Sequence, residues 1–281
     1  MFCLSLSGYS ALTIDVEDWY HVCGIGQQTV PPQQSWRVAQ NVEKIVTLLD
    51  QHKSKATFFM LGSVAEAVPE LAPMIVAKGH EIASHGYSHT LLTEMSKQQF
   101  LDELQHTEQI LIDQTGRRPV GYRAPQWSVS PKTPWVDELL VESGYLYDSS
   151  RNPLPFVGDS SAPRYPYRID TPHGSLWEIP PLVTKTALVS LPTGGGWGFR
   201  LFSPGLIAAT IETYLRDAAP AVLYLHPREV DPDGPRLQLP LFKRFLAYGM
   251  RTDATSRLSG LLQHFRFMTL EEMVRQWQPA S

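Results

Sequence analysis

The sequence is short of three features that would each point to a particular class of protein. It has 2 cysteines in 281 residues, too few for a disulfide-based scaffold or a thiolate metal cluster. No run approaches ~18 consecutive apolar residues, so we expect no transmembrane helix. Basic charge is not in excess either: 24 lysines and arginines against 28 acidic residues give a formal net charge of −4, which argues against a nucleic-acid partner.

The first residues, MFCLSLSGYSALTIDVED, do not show the pattern of a secretory signal. They contain no basic n-region and no small-residue cleavage site, and their apolar part continues into the first expected strand. We therefore expect a cytoplasmic protein. The sequence leaves the oligomeric state open.

Short β-rich runs alternate with amphipathic helical periods along the chain. Strands are predicted at Ser10–Glu17, Lys55–Leu61, Glu81–His85, Pro119–Arg123, Tyr145–Ser149, Leu176–Ile179 and Ala221–His226. Helices are predicted at Asn41–His52, Glu70–Lys78, Ser96–Thr115, Thr133–Ser143, Pro204–Ala218 and Leu270–Trp277. Two segments, Arg151–Gly174 and Thr193–Gly198, have no clear period and are predicted to be loops. The alternation is typical of an α/β protein with a parallel sheet.

Ionisable side chains gather where the predicted strands end. These strand-end residues are Asp15, Glu17 and Asp18, then His85 with His89 close behind, then Arg123 and His226. The carboxyl ends of parallel strands form one face of such a fold, so we expect these side chains to converge.

His85 and His89 lie four residues apart in HEIASHGYSH, a spacing at which two imidazoles reach one ion. A carboxylate from the first strand would complete a set of three ligands that leaves open positions for water, as catalytic metal sites do. Zinc, iron, cobalt and manganese all accept such a set. The alternative is that two of the 9 histidines fall four apart by chance.

Five short segments in a fixed order carry a family resemblance. They are TIDVED (Thr13–Asp18), HGYSH (His85–His89), GYRAPQW (Gly121–Trp127), LWEIPP (Leu176–Pro181) and LYLHP (Leu223–Pro227). Together they resemble the polysaccharide deacetylase family, also called the NodB-homology family or carbohydrate esterase 4. The tail from about residue 221 to 277 is similar to the branch found beside bacterial exopolysaccharide export genes.

The resemblance implies a fold and an activity. The implied fold is a distorted (β/α) barrel of about seven parallel strands, formed by one domain over residues 1–281 with a family-specific C-terminal extension from about 228. The implied activity is metal-dependent removal of N-acetyl groups from amino sugars of a bacterial polysaccharide or its precursor. One divalent ion, for which zinc is our expectation, would be the cofactor, and an N-acetylated glycan would be the substrate.

The resemblance also assigns roles to individual residues. Asp15 matches the catalytic base, Arg123 the arginine that pairs with it, and His226 the general acid that protonates the departing amine. Each has a structural alternative, respectively a strand-end cap, a surface ion pair and a core histidine.

The third metal ligand is expected to be Glu17. Side chains alternate along a strand, so Asp15 and Glu17 share a face, and Val16 and Asp18 point to the other. Asp18 is the reserve candidate, because the alternation can fail where the strand turns.

The chain departs from the family pattern at two positions. Val16 stands where a second adjacent aspartate is common, and Gln126 where a tyrosine usually follows the proline of the third motif. The family uses the backbone N–H at that position as an oxyanion donor, which glutamine also supplies. From the order of the motifs, Glu178 of the fourth motif is suggested as the carboxylate partner of His226.

Six residues are expected on the substrate side of the site because they lie in or next to these motifs or in a glycine-rich loop. They are Trp19, Tyr20, Pro125, Gln126, Trp127 and Trp197. Two other functions remain open. A same-fold hydrolase of a small cyclic amide or imide would need a closed pocket rather than a groove. A catalytically silent carbohydrate-binding protein would be expected to lose a ligand, the base or the acid.

Overall fold

The computed structural model describes residues 9–22, 30–155, 157–249 and 254–277. Both cysteines, Cys3 and Cys23, lie outside these residues. Among the helices of the described ranges, none combines the length and the apolar character needed to cross a bilayer.

A curled sheet dominated by parallel strands forms the centre of the molecule. Its strands are β1 (Tyr9–Val16), β2 (Thr57–Met60), β3 (Glu81–Ser84), β4 (Gly121–Tyr122), β5 (Tyr147–Asp148), β6 (Tyr167–Thr171), β7 (Gly174–Glu178), β10 (Val222–Leu225) and β11 (Arg266–Met268). A separate hairpin consists of β8 (Thr184–Lys185) and β9 (Ser190–Leu191).

The strand order is β10-β1-β2-β3-β4-β5-β7-β6, with β11 also paired to β1. Every neighbouring pair is parallel except β6 with β7. The seven predicted strands are therefore the seven consecutive parallel strands from β10 to β7. Because the sheet curls without closing among the described strands, the predicted α/β barrel is confirmed as a half-barrel.

Ten helices in the described residues cover the sheet and connect its strands. They are α1 (Val38–Gln51), α2 (Gly62–Ala67), α3 (Leu71–Ala77), α4 (Lys97–Thr115), α5 (Val136–Glu142), α6 (Gly196–Leu201), α7 (Pro204–Arg216), α8 (Leu241–Tyr248), α9 (Ala254–His264) and α10 (Leu270–Gln276). Their buried faces pack on the apolar strands to form the main core. In α1 this face is the predicted stripe of Val42, Ile45, Val46 and Leu49.

Helix α4 shows how local sequence sets an element's ends. Ser96 caps the first turn by accepting a hydrogen bond from the N–H of Gln99, whose side chain accepts one from the N–H of Ser96. Gly116 ends the helix in the left-handed region at φ 68°. Both signals were predicted from the sequence and are confirmed.

The two predicted loops contain regular structure, which corrects the sequence interpretation. Within Arg151–Gly174, residues Tyr167–Thr171 form β6 and pair with β7. Within Thr193–Gly198, helix α6 begins at Gly196. The glycines here allow close packing: a Cβ on Gly195 would lie 2.1 Å from the backbone oxygen of Tyr224.

Glu81, at the start of β3, gives the fold a predicted pH dependence. Burial raises its pKa to about 7 from an ordinary 4.5. A carboxyl whose pKa is raised on folding binds more protons in the folded chain, so its stabilising contribution is complete below about 4.5 and is lost as the pH rises through about 7. We expect this to cost about 3 kcal/mol of unfolding free energy across that window, because each pKa unit corresponds to about 1.4 kcal/mol.

The measurement is urea unfolding of the parent chain and of Glu81→Gln at several pH values. The variant has no titratable group at this position, so its stability relative to the parent should improve from pH 5 to pH 8. A difference that stays constant with pH would contradict the assignment.

Candidate active site

Three ligand-type side chains meet at the carboxyl ends of β1 and β3. The Oε1 oxygen of Glu17 lies 2.9 Å from Nε2 of His89 and 3.3 Å from Nε2 of His85. His85 directly follows β3, and Glu17 directly follows β1. His89 reaches the group from a left-handed backbone conformation with φ 60°, which is uncommon for a residue other than glycine and typical of functional sites.

The hydrogen bonding of His85 fixes which of its nitrogens is available as a ligand. Its Nδ1 lies 2.7 Å from the carbonyl oxygen of Arg123 and donates to it, because a carbonyl can only accept. When the ring is neutral, it presents the lone pair of Nε2 toward the carboxylate of Glu17, as a metal ligand must. Burial alone would raise the pKa of Glu17, but His89 and His226 beside it hold that pKa well below its usual value. An ionised carboxylate and two imidazoles fit a single divalent cation.

Asp18 is directed away from this group. Its carboxylate accepts hydrogen bonds from the backbone N–H groups of Arg37 (2.9 Å) and Val38 (3.1 Å) at the start of α1. It therefore satisfies donors that a helix start leaves unpaired. Of the two acidic residues that the sequence offered, the structure brings Glu17 to the histidines and not Asp18.

This difference predicts contrasting variants. Asp18→Ala should lower the unfolding free energy by about 1–2 kcal/mol, as loss of a helix cap does, while bound metal stays stoichiometric. Glu17→Ala should lose bound metal. Metal content measured after dialysis, together with urea unfolding, separates the two outcomes, and metal loss in Asp18→Ala would reverse the assignment.

Asp15 forms a buried ion pair with Arg123. The Oδ1 oxygen of Asp15 lies 2.7 Å from Nη1 of Arg123, and both side chains are nearly inaccessible to solvent. The same guanidinium donates to the hydroxyl of Thr13, and to the carbonyl and hydroxyl of Ser149, at 2.7–3.0 Å. Four bonds thus fix Arg123, and its bond to Oδ1 leaves Oδ2 of Asp15 directed elsewhere.

His226 faces these carboxylates from the end of β10. Its Nε2 lies 3.9 Å from Oδ2 of Asp15 and 3.9 Å from Oε1 of Glu17. Its Nδ1 lies 3.7 Å from Oε1 of Glu229, which is buried. Glu229, and not Glu178, is therefore the carboxylate behind the His226 ring.

Glu178 belongs to a different cluster, which corrects the sequence suggestion. Its carboxylate accepts hydrogen bonds from the backbone and side chain of Arg151, at 2.9 and 3.1 Å, next to buried Asp148. Burial raises the pKa of Glu178 well above its usual value and that of Asp148 to about 6. Ser150 bonds to Asp148 and accepts from the N–H of Ala124, so this cluster supports the third motif from behind.

Arg228 is a site residue that the sequence analysis missed. Its Nη1 lies 2.8 Å from Oε2 of Glu17, the oxygen that does not face the histidines. The ion pair leaves Glu17 with one oxygen directed at His85 and His89. The signal was present in the sequence, since Arg228 and Glu229 follow the fifth motif directly.

Asp15, Glu17, Arg123 and His226 all line one open cleft of about 480 Å³. Three predicted substrate residues line it as well, namely Gln126, Trp127 and Trp197. Gln126 and Trp127 both have φ 57°, a left-handed conformation at two successive non-glycine residues.

The other three predicted substrate residues do not line this cleft, although Trp19 lines a neighbouring pocket together with Arg228 and Glu229, and their substrate role stays a prediction. Trp19 donates from its indole N–H to the carbonyl of Ser35 at 3.0 Å, and Tyr20 is buried against Trp36. Pro125 lines a small separate pocket behind the third motif. Trp19 and Tyr20 thus contact the segment that precedes α1.

The sequence of this region matches a known family. Residues 30–141, which include His85, His89 and Arg123, match the family model for polysaccharide deacetylase. These residues therefore form a region of the polysaccharide deacetylase family. Residues 149–275, which include His226 and Glu229, match a second model, described as a domain of unknown function (DUF3473).

Curated relatives of the polysaccharide deacetylase family share part of the chain. It is 37% identical over 109 residues to a peptidoglycan deacetylase of Helicobacter pylori, covering 39% of this chain and 36% of that protein. It is 39% identical over 171 residues to a peptidoglycan-N-acetylglucosamine deacetylase of Bacillus cereus, covering 53% of this chain and 62% of that protein. The chain thus spans about a third of the length of the Helicobacter pylori protein and less than two thirds of the length of the Bacillus cereus protein.

A solved structure in the family extends the likeness of fold to nearly the whole chain. The structure of a probable polysaccharide deacetylase from Pseudomonas aeruginosa superposes with a TM-score of 0.62 at 19% identity, covering 96% of this chain and 91% of that one. At that identity the superposition supports the fold alone.

Proposed function

We propose that this chain is a metal-dependent hydrolase that removes N-acetyl groups from amino sugars of a bacterial polysaccharide or its precursor. The observation that carries the proposal is the meeting of three groups at one cleft. These are the donor set of Glu17, His85 and His89, the Asp15–Arg123 ion pair, and His226 within 3.9 Å of both carboxylates.

A divalent ion held by Glu17, His85 and His89, when bound, supplies Lewis-acid chemistry that activates water and polarises an acyl oxygen. We propose zinc, which prefers imidazole and carboxylate ligands with an open position. Arg228 keeps Glu17 oriented through its second oxygen.

Asp15 acts as the base that takes a proton from the attacking water, through its Oδ2 oxygen. Arg123 holds the carboxylate in place through Oδ1, at 2.7 Å. His226 acts as the acid that gives a proton to the amine nitrogen as the C–N bond breaks. Glu229 lies behind its ring, with Oε1 3.7 Å from Nδ1.

The names of the relatives support an N-acetylated sugar as substrate, since one is a peptidoglycan deacetylase and the other a peptidoglycan-N-acetylglucosamine deacetylase. The open cleft does not favour a small cyclic amide, which would need an enclosing pocket. A silent binding protein is not favoured either, because candidates for the ligands, the base and the acid are all present. A role in exopolysaccharide synthesis, a single domain with its extension from about 228, and a cytoplasmic location remain predictions.

The experiment that tests the function combines metal analysis with acetate release. The purified 281-residue chain should contain about one divalent ion, and it should release acetate from N-acetylated saccharides in a manner that chelation stops and zinc restores. The same saccharides carrying free amines serve as the control for background acetate. Full acetate release from metal-free protein would contradict the proposal.

A further inference from the structure

The cleft has two parts, a charged floor formed by Asp15, Glu17, Arg123 and His226, and an apolar wall. We use the name apolar wall for Val157, Pro192, Trp197, Phe242 and Leu246, all of which line the cleft and are exposed or half-buried. A sugar ring can contact this surface only through its apolar face, stacked on Trp197 or Phe242, because its hydroxyls find almost no hydrogen-bonding partners there. An alkyl chain can contact all five side chains, so the wall fits an apolar part of the substrate better than it fits further sugar units.

Helix α8, which provides two wall residues, is held firmly from one side. Arg200 of α6 donates to the last carbonyls of α8, from Nη1 to Ala247 at 2.8 Å and from Nη2 to Leu246 at 2.6 Å. Ala247 and Tyr248 are buried on this side. The opposite face of α8 is thereby presented outward in a fixed orientation.

That outward face is apolar and continues the wall beyond the cleft. Leu241 is 80% exposed, Phe242 is 72% exposed and Phe245 is 41% exposed. The ring of Phe245 lies 6.5 Å from the ring of Trp197, so the exposed face and the wall meet there. Exposed apolar surface that adjoins a binding cleft is typical of a recognition surface.

One basic residue of α8 lies at the cleft beside the apolar wall. Lys243 lines the cleft together with Phe242 and Leu246. Its positive charge complements an anionic group that joins the saccharide to an apolar chain.

We propose that the substrate is a lipid-linked saccharide, in which a long alkyl or isoprenoid chain is joined to the sugar through a phosphate and lies along the apolar wall and α8. The inference rests on the proposed function and names the substrate class of the same site. The N-acetyl sugar occupies the charged floor, and the chain covers Phe242 and Phe245.

The test uses two soluble N-acetylglucosamine phosphodiesters that differ only in the alkyl chain, which is methyl in one and decyl in the other. Affinity is measured by calorimetry and turnover by acetate release. Burial of several methylene groups should make the decyl compound bind at least about tenfold more tightly than the methyl compound. In Phe242→Ser/Phe245→Ser this ratio, for both affinity and kcat/KM, should fall by about tenfold.

Leu188→Ser is the matched control, because Leu188 is 93% exposed on the β8–β9 hairpin and does not line the cleft. It should keep the parent ratio. Equal affinities for the two compounds, or a ratio unaffected by the double serine variant, would overturn the inference. So would a double variant that loses only binding to anionic vesicles, since α8 would then dock on a membrane. A chain-length preference in binding without acetate release would uphold this inference and contradict the proposed function.

Discussion

Replacing Asp15 with asparagine is expected to lower the rate of acetate release by about 10²–10⁴-fold while bound metal stays at the parent level. Asparagine keeps the size of the side chain, and its oxygen can still accept from Arg123 at the position now 2.7 Å away. The amide cannot take a proton from water. The loss should therefore appear in kcat, with the ligands Glu17, His85 and His89 undisturbed.

Asp102→Asn provides the matched control, since Asp102 lies exposed on α4 and its replacement removes the same charge from a position that does not line the cleft. It should retain parental turnover. If Asp15→Asn also retained turnover within a few-fold, Asp15 would only orient Arg123, and the base would have to be found elsewhere.

The architecture was predictable because each strand has a recognisable local sequence pattern. Each of the seven parallel strands is a short apolar or β-branched run followed by a polar or turn residue, and such a run identifies itself without long-range information. β6 was missed because none of its five residues is fully buried, two of them are exposed, and several prolines precede it. The start of α6 was missed because a run of glycines argues against a helix. The packing contact between Gly195 and Tyr224, which requires a glycine, is not evident from the sequence.

The site was predictable where spacing alone carries the geometry. His85 and His89 come from one turn of chain, and strand alternation favoured Glu17 over Asp18, the arrangement that the structure has. The direction that the chain takes after a strand is not predictable in this way. Trp19 and Tyr20 follow β1 in sequence, but they contact Ser35 and Trp36, which lie further along the chain in the segment that precedes α1.

Partners of the site residues were the least predictable part, because they depend on how separate elements pack. Arg228 reaches Glu17 across 211 positions of sequence, and no local pattern specifies that contact. Glu229 is different: it lies three residues after His226 on a short helical turn, Pro227–Val230, so its proximity follows from local geometry. Recognising that turn from the sequence would have favoured Glu229 over Glu178.

Replacing His226 with alanine should separate the acid step from the rest of the reaction. An amine is a poor leaving group unless it is protonated, so we expect acetate release from N-acetyl sugars to fall by about 10²–10⁴-fold. The phenolate of p-nitrophenyl acetate departs without a proton, so hydrolysis of that ester should fall by less than about tenfold. Asp15→Asn, by contrast, should slow both substrates, because each needs an activated water.

The histidine control is His264→Ala, a change at an exposed position at the end of α9, for which both rates should match the parent. Metal content of His226→Ala should also match the parent, since Glu17, His85 and His89 form the donor set without it. An equal loss of rate on amide and ester would mean that His226 acts before the C–N bond breaks. It would then orient Glu17 or help to activate the water, since its Nε2 lies 3.9 Å from both Glu17 and Asp15. A loss confined to the amide is the outcome that assigns His226 as the acid, because only that step distinguishes the two leaving groups.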